Sequence, residues 1–386
     1  MSVRDTIFAP GPCSRDSSSS GMMTSSKFVS SSPYPPSQIA IGLSGGVDSA
    51  VAALLLRDAG FPLLAVYLRL WHHPSDSAAA VQFARDEALA ERIADELNIP
   101  FHAIDGRLAF RALVVETFIQ GYTRGETPNP CVHCNHHIRW GFMLDEVRKL
   151  GASHLATGHY ARLKKQENIQ LYMGTDRKKD QSYMLSFLRQ DQLARTIFPL
   201  GNLTKEAVRT LAADAGIATA DRPDSQDLCF IGEDTYRTFL QKVAPHAFHP
   251  GPILDIDGEE IGRHQGLGHF TIGQRKGIGI ALPYPLYVVE KDATRNVLIV
   301  GPRESLGRTS LQAGPMHWIA GEAPHLPGRY TLQTRYTAPE VEAEIAAAQS
   351  GHIHATLTSS IPDITPGQAA VLYRGDECLG GGIIQA

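Results

Sequence analysis

Two short stretches hold the residue types from which chemistry can be built. The first is Ser44-Gly-Gly-Val-Asp-Ser49, set between the apolar run 39–43 and the apolar run 50–56. Gly45 and Gly46 remove two side chains where the backbone must bend, so successive N–H groups can converge on an anion at the start of the next helix. No Gly-Lys-Ser/Thr follows, so this is not a Walker A loop, and the G-x-G-x-x-G order of a dinucleotide fingerprint is absent. Asp48 stands where the helix begins; it could cap that helix or hold a magnesium ion that bridges phosphates. An ordinary strand-to-helix turn with a Ser/Asp cap has the same spacing.

The second stretch, Thr127-Pro-Asn-Pro-Cys-Val-His-Cys-Asn-His-His137, contains a C-x-x-C pair, Cys131 and Cys134, among three histidines. Three chemistries suit it. Half of a zinc site could be completed by His133, His136 or His137, although no second ligand pair stands elsewhere. Cys131, Cys134 and the distant Cys229 could hold an iron–sulfur cluster with an open fourth position. Paired thiols could also exchange sulfur. Replacing a carbonyl oxygen by sulfur requires that oxygen to become a leaving group, which adenylation achieves, and a donor at thiol level. A persulfide on one cysteine can supply the sulfur, and a second cysteine can release it by closing a disulfide.

The surrounding elements must position these groups. The runs 39–43, 63–68, 101–105 and 154–158 have the length and content of buried strands. Between them, Leu89/Ile93/Leu97, Phe110/Val114/Phe118 and Met143/Val147/Leu150 recur at helical steps. The alternation predicts an α/β fold, a doubly wound parallel sheet whose ligands bind at the C-terminal strand ends. Ser44–Ser49 and the stretch Thr157-Gly-His-Tyr160 both lie at such ends. Beyond residue 232 the texture changes. Asp257-Gly258 marks a hairpin, and period-two runs within 329–374 predict a small antiparallel β domain, a barrel. The expected division is a disordered Ser-rich tail 1–37, a catalytic domain 38–232, a small central domain 233–302 and a C-terminal barrel 303–386.

The chain has 386 residues, 43% of them hydrophobic, with net charge −4 from 36 basic and 40 acidic side chains. That is enough for several cores and too balanced for a global positive field, so a nucleic acid would be held by local patches. No apolar run spans a bilayer, and five cysteines without a secretory signal peptide fit a reducing, cytoplasmic setting with no membrane partner. The tail has too little apolar content for a core, and its Asp5 and Asp16 speak against a transit peptide.

SGGVDS after a buried strand resembles the signature of the PP-loop ATP pyrophosphatases. With TPNPCVHCN, ATGHYAR, KKDQSYML, PLGNLTKEAVRTLAADAG, DSQDLCFIG, HFTIGQRKGIGI and CLGGGII, in this order from Ile39 to Ile384, the chain is similar to the bacterial tRNA-specific 2-thiouridylase family. The resemblance implies thiolation of C2 of the wobble uridine in tRNA, with ATP and Mg2+ and a sulfur relayed as persulfide from a donor protein. It assigns ATP contacts to Gly42, Leu43, Ser44, Gly45, Gly46, Val47, Asp48, Ser49, Leu68 and Gly158. Cys134 takes the nucleophile's place and Cys229 the persulfide carrier's. Asn129, Pro130 and Cys131 meet the target base, while His159, Lys179, Asp180, Gln181, Arg335, Tyr336 and Gln368 contact tRNA. Many members carry Asp where this chain has Cys131, so acid help from that position is in doubt and a three-cysteine cluster is easier to build.

The basic runs 177–179 and 275–276 adjoin these segments and could bind phosphates, while specificity would come from an extruded base. Trp71 and Trp140 are read as core residues, and Cys13 and Cys378 as non-catalytic. An amidotransferase would need a glutaminase segment, which the Ser-rich N-terminal stretch does not supply. A non-catalytic RNA-binding module would have no use for an intact loop and both cysteines.

Overall fold

The computed structural model describes residues 38–219, 228–232, 234–245, 248–362 and 364–385. The Ser-rich tail, with Cys13, and residues 224–227 of the motif before Cys229 lie outside the described residues.

Five parallel strands form the first sheet: β1 (Ile39–Gly42), β2 (Leu63–Arg69), β3 (Phe101–Asp105), β4 (His154–Ala156) and β7 (Thr196–Ile197), in the order β3-β2-β1-β4-β7. The expected doubly wound sheet is present because helices cover both faces. Ile39 and Ile41 point into a core with helices Val47–Asp58, Ser77–Glu96 and Lys205–Asp214. Ala40 points the other way, toward Trp140, Met143, Leu144 and Val147 of the helical run 130–149. Such two-sided burial explains why β1 is apolar throughout instead of alternating. β7 escaped the sequence reading because two residues carry no period.

The chain leaves β1 for β2 on one side and later returns to β4 on the other. That reversal opens a crevice at the C-terminal ends of β1 and β4, where open α/β sheets bind ligands. Ser44–Ser49 leaves β1 there, and Thr157–Tyr160 leaves β4 beside it.

A four-stranded sheet, β10-β11-β8-β9, follows from β8 (Gly251–Leu254), β9 (Glu260–His264), β10 (Tyr287–Asp292) and β11 (Val297–Gly301). The predicted turn joins β8 to β9. Gly258 has φ +92°, and Asp255 Oδ1 accepts from the N–H groups of Asp257 and Glu259 at 3.0 and 2.9 Å. The large C-terminal sheet is built from β12 (Arg308–Ala313), β14 (Gly328–Gln333), β15 (Val341–Ala347), β16 (Ile353–Ile361), β17 (Ala369–Arg374) and three strands named below; it runs β12-β16-β15-β14-β17-β18-β6-β5 and curls back where Ala313 bridges Ile384. Its last two strands come from far upstream: β5 (Ala161–Lys165) and β6 (Ile169–Met173) form a hairpin that pairs with β18 (Glu377–Ile383) through Tyr172 and Leu171. The segment leaving β4 is thereby fixed to the C-terminal barrel. Among the described residues no helix is long and apolar enough to cross a membrane.

Candidate active site

The phosphate loop is built from its own hydroxyls. Ser49 Oγ donates to Gly46 O at 2.9 Å and accepts from Ser44 N at 3.2 Å, closing a tight ring before the helix Val47–Asp58. Gly45 has φ +75°, where a side chain would strain the turn. Leu43 and Val47 are buried and anchor the two ends, and Leu43 N donates to Val66 O. Gly42 sits so close to Met143 that a Cβ would lie 3.3 Å from its methyl carbon. The helix cap is Gly46, which offers no side-chain bond, so the capping role considered for Asp48 is not taken. Asp48 instead accepts from Lys205 Nζ at 2.7 and 2.8 Å and from the Tyr160 hydroxyl at 2.7 Å.

Thr157–Tyr160 joins this loop to the cysteines. A Cβ on Gly158 would lie 2.7 Å from the carbonyl carbon of Asp48 and 2.8 Å from Ser49 N, so only glycine lets the end of β4 lie on the first turn of the loop helix. Next in sequence, His159 turns inward and is buried. Its Nε2 lies 3.2 Å from Arg139 Nη1 and its Nδ1 lies 2.7 Å from Thr157 Oγ1. A guanidinium only donates, so Nε2 accepts and the ring proton sits on Nδ1, donated to Thr157. Burial, then the charge of Arg139, holds His159 well below the usual 6.5, hence neutral.

Arg139 belongs to a π-helical stretch, Cys134–Met143, that continues from the short helix Pro130–His133. π-Helical turns are rare and cluster at functional sites. The sequence starts this helix plainly: Pro130 occupies its first turn, and Asn129 Oδ1 accepts from Cys131 N at 3.1 Å and Val132 N at 3.4 Å. Asn129 and Pro130 thus place Cys131 and Cys134. Cys229 arrives from the opposite direction, beside Phe230 and Ile231, which are clamped in an aromatic cluster with Phe110, Phe118 and Phe239.

The three thiols are close enough to feel one another's charge. Burial pushes Cys131 up to about 11, with Cys134 adding to the rise. Burial also raises Cys134, opposed by the charge of Arg139 and a hydrogen bond from it. Cys229 keeps an exposed side, yet the protein around it raises its thiol too, followed by Cys134 and Cys131. All three therefore rest as thiols, and Arg139 is the cation that lowers each of them. Although the thiols are neighbours, among the described residues no three His, Cys, Asp or Glu side chains are placed to hold a metal ion.

The remaining sequence-derived positions fall into two groups. Tyr336 comes to the site itself: burial, then Asp180 and Cys131, pushes its hydroxyl up to about 12. The others brace it. Asp180 accepts from Gly174 N at 2.7 Å and Ser182 Oγ at 2.7 Å; Gln181 Oε1 accepts from Tyr160 N at 3.0 Å; Lys179 N donates to Asp176 O. Gln368 Nε2 donates to Thr127 O at 2.7 Å, and Arg335 donates to Ile272 O and Thr365 Oγ1. Leu68, in β2, is partly buried against both the sheet core and the aromatic cluster. Trp140 is buried as expected and donates to Thr196 Oγ1 at 2.6 Å, while Trp71 is partly buried against Phe239.

Sequence reasoning missed Arg139, Tyr160, Lys205 and Lys291. Lys205 carried a signal, since it opens a helix whose dipole disfavours a cation there. Lys291 Nζ, in β10, donates to Phe270 O at 3.0 Å and reaches Glu126 O and Thr127 Oγ1 at 3.4 Å, holding the loop that leads to Cys131.

Comparison with known proteins matches three family models: a tRNA methyl transferase HUP domain over residues 37–233, a tRNA methyl transferase PRC-barrel domain over 237–302 and an aminomethyltransferase β-barrel domain over 308–384. The chain is 42% identical over 368 residues to the tRNA-specific 2-thiouridylase MnmA of Roseiflexus sp. (strain RS-1), covering 90% of this chain and 99% of that one. It belongs to the tRNA-specific 2-thiouridylase family. The 2-thiouridylase MnmA of Moorella thermoacetica (strain ATCC 39073 / JCM 9320) is 43% identical over 357 residues, again covering 90% and 99%. Among solved structures, a 4-thiouridine synthetase–RNA complex with bound ATP is 18% identical with TM-score 0.32, covering 55% of this chain and 51% of that one.

Proposed function

We propose that this 2-thiouridylase family member is an ATP-dependent sulfurtransferase that thiolates C2 of the wobble uridine in tRNA, releasing AMP and pyrophosphate. The observation that carries the reading is the path from the phosphate loop through Gly158 and His159 to Arg139, in the helical stretch that begins at Cys134. It couples a nucleotide cradle to a pair of thiols within one crevice.

The loop N–H groups and Lys205 receive the ATP phosphates, and the uridine O2 attacks the α-phosphate, expelling pyrophosphate. Adenylated O2 then leaves as AMP when the terminal sulfur of a Cys229 persulfide bonds to C2. Cys134 gives up its proton and attacks the Cys229 sulfur. The S–S bond to the transferred sulfur breaks, its electron pair stays on the thiocarbonyl, and a Cys134–Cys229 disulfide remains. An external dithiol reopens it, and a persulfide-bearing donor protein reloads Cys229. Cys131 keeps a positional role beside the base. Magnesium would accompany ATP, but both Asp48 oxygens are engaged by Lys205, so no step is assigned through a metal at Asp48. Nor is one assigned through a cluster. The described cysteines are unpaired, which suits a cytoplasmic enzyme.

The test is tRNA thiolation from a persulfide donor by Cys134→Ser and Cys229→Ser under reducing conditions. Each variant is expected to lose 2-thiouridine formation. Full thiolation by both would falsify the relay.

A further inference from the structure

The loop ahead of the cysteines is gripped by both β domains at once. From the turn before β17, Pro366 O accepts from Thr127 N at 2.8 Å and Gln368 Nε2 donates to Thr127 O at 2.7 Å. Gly367 lies between them with φ +91°, and a Cβ there would stand 3.0 Å from Thr127 N and 3.1 Å from Pro128 N. From β10 of the four-stranded sheet, Lys291 Nζ donates to Phe270 O at 3.0 Å within its own domain and to Glu126 O and Thr127 Oγ1 at 3.4 Å. On its other side the loop lies on the preceding helix so closely that a Cβ on Gly121 would stand 2.7 Å from Pro128 Cγ.

We infer that Lys291 is a positioning residue for the reacting thiols: its bonds to Glu126 O and Thr127 Oγ1 fix, from the four-stranded sheet, the loop that starts the helix carrying Cys131 and Cys134. This inference rests on the relay proposed above. The link from the loop to the helix is short and stiff. Thr127 is followed by Pro128-Asn129-Pro130, in which two rings fix φ, and Asn129 Oδ1 then caps the helix at Cys131 N and Val132 N. A shift at Thr127 therefore passes to the cysteines instead of being absorbed by free torsions. The two barrel bonds both fall on the Thr127 backbone. Lys291 adds contacts to the Thr127 side chain and to residue 126, which resist pivoting about that point. An ammonium has three N–H groups, and three acceptors surround this one. Burial disfavours that charge, so the side chain contributes through its bonds and not as a source of stability at neutral pH.

The experiment measures single-turnover formation of 2-thiouridine by the full chain, loaded with persulfide, at saturating ATP and tRNA and neutral pH. The folded fraction of each variant is read by circular dichroism. Lys291→Met keeps the length of the side chain and removes the donors. It is expected to slow thiolation about tenfold per folded molecule while the ATP concentration for half-maximal rate stays within about twofold. Thr127→Val removes the acceptor from the other side and is expected to slow thiolation about threefold. The double variant should be no slower than Lys291→Met alone, whereas independent effects would multiply to about thirtyfold. A wild-type rate for Lys291→Met, or a loss that vanishes once the folded fraction is counted, overturns the inference. If Lys291→Met does not fold, Thr127→Val carries the test: a slower rate supports the inference and an unchanged one overturns it. Should Cys134→Ser keep full thiolation while Lys291→Met is still slow, the relay fails and the positioning role of Lys291 in the site stands. Loss in Cys134→Ser with a wild-type rate in Lys291→Met leaves the relay and removes the inference.

Discussion

Replacing Gly158 by alanine tests whether close backbone approach holds the phosphate loop in place. The new methyl carbon would lie 2.7 Å from the carbonyl carbon of Asp48, 2.8 Å from Ser49 N and 2.9 Å from Asp48 O. All three are backbone atoms, so no side chain can swing aside. Ordinary contact begins near 3.4 Å, and 3.4 less 2.7 requires the end of β4 and the loop helix to part by about 0.7 Å. Gly158 does not have a left-handed φ, so alanine brings no torsional penalty and the effect is contact alone. Overpacking of this kind costs about 1–3 kcal/mol. A displacement approaching 1 Å in a reacting centre costs up to roughly a hundredfold in rate. Urea unfolding should therefore show a loss of about 1–3 kcal/mol, and tRNA-dependent pyrophosphate release should fall roughly ten- to a hundredfold. Gly141→Ala is the control, because its Cβ meets His136 O at 3.4 Å. That change should be neutral or stabilising by up to about 1 kcal/mol. Wild-type pyrophosphate release by Gly158→Ala would show that this approach does not position the loop.

Lys205→Met removes the cation from Asp48 and should raise the KM for ATP by about tenfold or more in steady-state kinetics, the loss of one charge-assisted hydrogen bond; an unchanged KM would remove Lys205 from nucleotide binding. Burial lowers Lys291 from the usual 10.5 to about 8, so between those values the unfolded chain binds the extra proton. Wild type should gain stability relative to Lys291→Met as pH rises from about 8 to about 10.5, and a difference that stays flat in urea titrations across that window would refute the burial. Gln368→Leu cuts the tie from the barrel to Thr127 O and should weaken tRNA binding about fivefold in filter-binding assays while leaving ATP affinity in place; equal losses for both ligands would point to general unfolding instead.

Much of the site was legible because its signals are local. Two glycines after an apolar strand specify a turn, and Asp257-Gly258 specifies a hairpin; each involves only neighbours in the chain. The capping role considered for Asp48 failed for the opposite reason. Its carboxylate turns to Lys205, 157 residues away, and to Tyr160, 112 residues away. The hairpin of β5 and β6 has ordinary strand character, but nothing in its sequence states that Leu171 will face Cys378 across 207 residues.

Sequence alone determined the alternation of strands and helices, the place of the glycine turn after β1 and the hairpin at Asp257-Gly258, because residue type, period and turn chemistry act over a few neighbouring residues. Tertiary structure decided which charges meet. It turned His159 inward onto Arg139, set Lys205 on Asp48 and tied the loop before Cys131 to both β domains. Those contacts depend on packing between segments far apart in the chain, where the low dielectric of a shared interior, and not any local pattern, makes one pairing worth more than another.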